Sequence, residues 1–103
     1  MSDFVRLASK PDLPEEGEAR EFPLGDKTIC IANVDGNYCA MDNVCVHRGG
    51  PLAQGVVADG KIICPWHGWQ YDPKTGVPAE NPALKVAVYP IKIEGEEVLV
   101  EVG

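Results

Sequence analysis

Apolar and polar residues alternate along much of this chain in short runs, and the spacing is two rather than 3.6. Phe4–Ala8 alternates weakly, and Glu18–Leu24 reads as a polar edge strand after a Pro11–Glu16 loop. Thr28–Val34 and Asn37–Met41 flank Asp35-Gly36, a strong short signal for a hairpin turn. Val56–Ala58 and Lys61–Ile63 flank Asp59-Gly60 in the same way, and Lys85–Ile93 and Glu97–Val102 flank Glu94-Gly95-Glu96. Within Lys85–Ile93, Val86, Val88, Ile91 and Ile93 alternate with Lys85, Ala87 and Lys92, while Pro90 requires an edge or a bulge. No window carries a helical period, and there is no internal repeat or low-complexity tract.

These elements predict an all-β fold of antiparallel sheets, a single domain over 1–103. Set into it is a loop-rich unit, about residues 42–83, with most of the glycine, proline and aromatic residues. The 103 residues leave room for one domain and little else. Eleven glycines and nine prolines suit short strands and many turns. An apolar content of 45 % with 24 % charged residues is that of a folded globule. A chain of this size buries only roughly 60–70 % of its unfolded surface, so a bound metal centre would help to staple it.

The net charge of −7 argues against nucleic acid or an anionic membrane as partner. It suits a basic protein partner, or simply solubility. The segment Met1–Lys10 carries charges throughout and lacks a signal peptide's apolar stretch. No apolar run approaches the roughly 18 residues of a membrane span. The expected compartment is the cytoplasm, where four cysteines point to metal or redox chemistry before disulfides.

Two short motifs carry the chemistry: Cys45-Val-His47 and Cys64-Pro-Trp-His67, with 16 residues between His47 and Cys64. The chain has only two histidines, and both fall here. Glycine follows each motif closely (Gly49-Gly50 and Gly68), and the Asp59-Gly60 hairpin between them would bring the two loops side by side. The product is a Cys2His2 ligand set built from two loops. Zinc accepts such a set, but zinc sites usually pair cysteine with cysteine and histidine with histidine. One of each per loop suits a binuclear cluster with both thiolates on one iron and both imidazoles on the other. Glycine-rich loops also turn backbone N–H groups toward sulfur acceptors. At this level both metals remain open, with iron–sulfur favoured.

The stretches Cys45-Val-His-Arg-Gly-Gly-Pro-Leu52 and Cys64-Pro-Trp-His-Gly-Trp-Gln-Tyr71 resemble the two cluster loops of the Rieske family, and Asp72-Pro-Lys-Thr-Gly76 resembles the turn that follows them. The resemblance implies one Rieske-type 2Fe-2S cluster, with Cys45 and Cys64 on an inner iron and His47 and His67 on an outer, near-surface iron. It implies a one-electron carrier whose oxidised cluster is formally neutral and whose reduced cluster carries one negative charge.

Within that family, a ring-hydroxylating oxygenase needs further histidines for a mononuclear iron, which this chain lacks. The cytochrome bc branch carries a membrane anchor and an extra cysteine in each loop. Gly50 and Trp66 stand at those positions here, so the bridge is impossible. Trp69 replaces that branch's serine donor, while Tyr71 matches its tyrosine donor to a cysteine sulfur. Fewer donors predict a potential in the lower part of the family range of about −150 to +300 mV. The resemblance thus implies a ferredoxin rather than an enzyme, passing electrons from a flavin-dependent reductase to a terminal, ring-hydroxylating type oxygenase. Docking would be transient and the chain a monomer. The competing readings are a ligand-bearing small subunit of a reductase such as assimilatory nitrite reductase, and a structural zinc domain.

The remaining residues have plainer readings. A two-residue turn at Asp35-Gly36 pairs Ala32 with Cys39 and Cys30 with Met41. Cys30 and Cys39 are then diagonal neighbours, too far apart for an unstrained disulfide and expected as buried, inert thiols. Trp66 is read as a docking surface or a lid over the cluster, or as packing; Trp69 is read as packing. Asn81-Pro82-Ala83 is read as a third loop over the cluster or a plain connector, and Arg48 as a partner contact or a solvated charge.

Overall fold

A computed structural model describes residues 4–44, 50–66 and 68–101. Its strands form three antiparallel sheets. The first contains β1 (Phe4–Ser9), β9 (Ile91–Glu94) and β10 (Glu97–Glu101), in the order β1-β10-β9. The second contains β2 (Ala19–Leu24), β3 (Lys27–Val34), β4 (Asn37–Asp42) and β8 (Val88–Tyr89), in that order. The third contains β5 (Val56–Ala58), β6 (Lys61–Ile63) and β7 (Gln70–Tyr71) and lies, in sequence, between β4 and β8.

The second sheet is the middle layer, and β3 shows why. Side chains alternate across a strand, so Ile29 and Ile31 face one side and Cys30 and Ala32 the other. Ile29 and Ile31 pack with Ala8, Leu13, Ala40, Val98 and Val100, toward the first sheet. Cys30 and Ala32 pack with Met41, Leu52, Ile62, Cys64, Tyr71 and Val86, toward the third. Both faces of β3 are therefore buried, which is why its centre is an unbroken apolar run.

Both Asp-Gly hairpins form with the register expected of them. Asp35 and Gly36 have φ of +53° and +88°, and Asp59 and Gly60 of +52° and +75°. Positive φ at both central residues matches the twist of the flanking strands. Ala32 pairs with Cys39, and Cys30 with Met41.

The expected strand Lys85–Ile93 is in fact two. Val88–Tyr89 pairs with β4, whereas Ile91–Glu94 pairs with β10. Pro90 has no N–H to donate and sits at the break, its carbonyl accepting from the Glu101 N–H at 3.1 Å. Val86 and Val88 accordingly reach one core, and Ile91 and Ile93 the other. Glu18–Leu24 is an edge strand as expected, with Pro23 tolerated there. It forms a further hairpin with β3 through Gly25-Asp26. Among the described residues no helix is long and apolar enough to cross a membrane.

Candidate metal centre

Of the four candidate ligands, Cys64 lies among the described residues. Cys45, His47 and His67 lie outside them, as does Arg48. Among the described residues no group of three or more His, Cys, Asp or Glu could hold a metal ion. The surroundings of Cys64 therefore carry the geometry.

Cys64 follows the last residue of β6 and is 2 % exposed. Its N–H donates to the Trp69 carbonyl at 2.8 Å, and its own carbonyl accepts from the Gly68 N–H at 3.0 Å. With Ile63 paired to Gln70, the second motif is thus the loop of a β6–β7 hairpin, pinched at its base. Gly68 turns the chain with φ of +75°, a conformation that costs glycine nothing. Trp69 packs against the core beside Cys64, in line with the packing reading, whereas Trp66 is 54 % exposed.

Gly50, where the described residues resume after the first motif, comes to the same place. A Cβ added to Gly50 would meet Cys64 Sγ and two Trp66 ring atoms, Cγ and Cδ2, each at 3.0 Å. Gly50 thus touches the second loop, and a Cβ there would have to displace Cys64 Sγ or the Trp66 ring by a few tenths of an ångström. Leu52 follows in a short 3-10 turn and is fully buried in the same core as Cys64, Ile62 and Tyr71.

One residue of this region escaped the sequence reading. Asn43 is 6 % exposed and stands at the entry to the first motif. Its N–H donates to the Thr28 carbonyl at 3.0 Å, and its Nδ2 donates to Glu21 Oε2 at 2.8 Å. Its Oδ1 accepts the Ala53 N–H at 2.7 Å, beyond the far end of the motif. A lone polar residue after a strand gives no pattern from which such a clamp is read.

The Asp72–Gly76 turn closes on itself. Asp72 Oδ1 accepts the Lys74 N–H at 2.9 Å, and the Asp72 carbonyl accepts the Gly76 N–H at 2.7 Å. The following segment lies against β7: the Ala79 N–H donates to the Gln70 carbonyl at 2.8 Å, and Glu80 Oε1 accepts the Gln70 N–H at 3.0 Å. Asn81-Pro82-Ala83 extends from this docked piece, with the Leu84 N–H donating to the Asn81 carbonyl at 3.0 Å.

Cys30 and Cys39 are free thiols. Burial first, then Glu21 and Cys39, push the Cys30 thiol up to about 12. Cys39 is only half-buried, against the expectation of full burial, because it faces two clefts lined by Pro73 and Lys74. Its pKa is nonetheless raised, chiefly by desolvation.

A family model described as the Rieske [2Fe-2S] domain matches residues 3–90. The chain belongs to that family. Its cofactor is a Rieske 2Fe-2S cluster, and the described residues fit one. A thiol shielded from water, at the contact of two glycine-bearing loops, suits a thiolate ligand to a cluster. Among similar proteins, this Rieske domain is 34 % identical over 100 residues to the biphenyl dioxygenase ferredoxin subunit of Pseudomonas sp. (strain KKS102), covering 95 % of this chain and 91 % of that one. It is 36 % identical over 87 residues to human apoptosis-inducing factor 3, covering 84 % of this chain but spanning only 14 % of that protein. The structure of the ferredoxin of carbazole 1,9a-dioxygenase from Nocardioides aromaticivorans IC177 superposes with a TM-score of 0.81 at 29 % identity, over 94 % of this chain and 95 % of that one.

Proposed function

We propose that this Rieske domain is a one-electron carrier holding its cluster through Cys45, His47, Cys64 and His67 in the unit of about residues 42–83. It would pass electrons from a flavin-dependent reductase to a terminal, ring-hydroxylating type oxygenase. The observation that carries this reading is the meeting of the two motif loops at Gly50, against the buried sulfur of Cys64. Near full-length likeness to a dioxygenase ferredoxin subunit supports the oxygenase as partner.

When bound, the cluster supplies a site that takes up and releases one electron. The chain's own residues do the rest. Gly50 lets the loops close, Cys64 offers its thiolate from a dry position, and Asn43 holds the first loop to the body of the fold. No residue of this reading transforms a substrate, so the chain acts as a component of an oxidoreductase system rather than as its catalyst. Its acidic charge favours transient docking to basic surfaces in the cytoplasm, with the carrier itself a monomer.

The test is an EPR spectrum of the dithionite-reduced protein together with its visible absorption. A rhombic signal with the low average g of a mixed His/Cys 2Fe-2S cluster is expected. It should vanish in Cys64→Ser and in each of the Cys45, His47 and His67 alanine variants. A colourless, zinc-containing protein would overturn the carrier reading. Obligate co-purification with a large reductase subunit would overturn the stand-alone role.

A further inference from the structure

Trp66 is the one aromatic residue among the exposed large apolar side chains of the described residues. It is more than half exposed, yet Cγ and Cδ2 of its indole lie against the bare Cα of Gly50, on the other motif loop. The same point of Gly50 faces Cys64 Sγ. The indole thus spans the seam between the loops, beside the buried thiol, with the rest of its surface toward water. Gly50 and Trp66 meet without a covalent bond.

We propose that Gly50 and Trp66 form a non-covalent clasp that holds the two cluster loops together and keeps water from the Cys64 side of the site. This rests on the reading of these loops as the cluster site. Two consequences follow from its physics. A closed seam slows attack on the cluster and its loss, because the thiolate is reached only when the loops part. It also lowers the reduction potential. Reduction leaves one extra negative charge, and an apolar, water-poor neighbour solvates that charge less well than water does. Trp66 is therefore a positioning residue, acting through Gly50 and Cys64.

The experiment compares cluster-loaded parent, Trp66→Ala, Trp66→Phe and Gly50→Ala. It reads the rate of visible bleaching in air with a chelator, the midpoint potential, and denaturant stability. Trp66→Ala should bleach several-fold faster and shift its potential upward. Trp66→Phe keeps a ring over Gly50 and should stay near the parent in both. Gly50→Ala pushes the indole away and should follow Trp66→Ala; should Trp66→Ala accumulate without cluster, Gly50→Ala alone decides. A variant with the parent's bleaching rate and potential, whatever its change in stability, overturns the clasp and leaves Trp66 as ordinary packing. Equal shifts in the Ala and Phe variants overturn it too. A parent lacking the rhombic signal overturns the cluster reading and the clasp together, so the two failures are told apart.

Discussion

Asn43 Oδ1 accepts the Ala53 N–H at 2.7 Å, and in doing so ties together the two ends of the first cluster loop. The same side chain donates to Glu21 on the neighbouring edge strand, so the loop is anchored both to itself and to β2. Because Asn43 is buried, neither bond is readily replaced by water.

Replacing this clamp should loosen the loop that carries Cys45 and His47. Asn43→Ala leaves the Ala53 N–H without its acceptor, a loss of roughly 1–3 kcal/mol for a buried group. Asn43→Asp keeps the acceptor but loses the donor and sets a second carboxylate beside Glu21, so it should also destabilise. Urea unfolding gives the energies, and cluster retention through purification shows whether the loop is affected more than the rest. An Asn43→Ala protein as stable as the parent would show that water takes over the bond.

A steric contrast between two glycines checks the packing under the second loop. Gly55 has an ordinary φ of −82°, but an added Cβ would meet the Ile63 carbonyl oxygen at 1.8 Å, one residue before Cys64. Gly25 has open space around it and a φ of +62°. Gly55→Ala must therefore move backbone, at the upper end of the roughly 1–3 kcal/mol typical of overpacking or beyond it. Gly25→Ala pays only for its left-handed conformation, about 1–2 kcal/mol. Thermal unfolding of both variants should rank them in that order, with cluster loss confined to Gly55→Ala.

Local turn chemistry made the two Asp-Gly hairpins legible, since such a turn is decided by its own four residues. The ligand motifs were legible for a similar reason: cysteine and histidine at such spacing have few other uses. What stayed hidden was decided by tertiary contacts. From Lys85 to Ile93 the apolar positions change phase across Pro90, from Val86 and Val88 to Ile91 and Ile93, but nothing local says that the two halves join different sheets. The Gly25-Asp26 hairpin is less plain because Arg20, Glu21 and Pro23 break the alternation of its first flank, Ala19–Leu24. β7 is two residues long and follows the second ligand motif closely, too short to show an alternation of its own. Asn43 shows the same limit at the site, because a side-chain clamp has no period.

The potential offers a check independent of the ligands. With Trp69 at the place of a serine donor, the midpoint should stay below about +150 mV, within the family span of about −150 to +300 mV. Trp69 packs against the core, so its removal is also structural. Trp69→Ser is therefore read against Trp69→Phe, which keeps a ring without a hydroxyl, and a higher potential in the serine variant alone would come from a restored donor. Protein-film voltammetry giving a parent value above that limit would show that other groups make up for the missing donor.

The two remaining cysteines separate burial from reactivity. Cys30 is fully buried, and its thiol is pushed up to about 12, so it should resist iodoacetamide at pH 8 until the protein unfolds. Cys39 is half-buried and also raised, so it should react slowly without unfolding. The raised pKa fixes the sign of the pH effect as well. Below the ordinary thiol value of 9.0 both folded and unfolded Cys30 are neutral, and its contribution to stability is complete. Between 9.0 and about 12 the unfolded chain releases a proton that the folded chain keeps, so stability falls as pH rises through this window. Cys30→Ala removes that titration at the cost of a small cavity, while Cys30→Val fills the space. Mass spectrometry of alkylated peptides and urea midpoints at pH 8 and pH 10 test both claims. A Cys30→Val protein that loses as much stability on alkaline transfer as the parent would assign the effect to other groups.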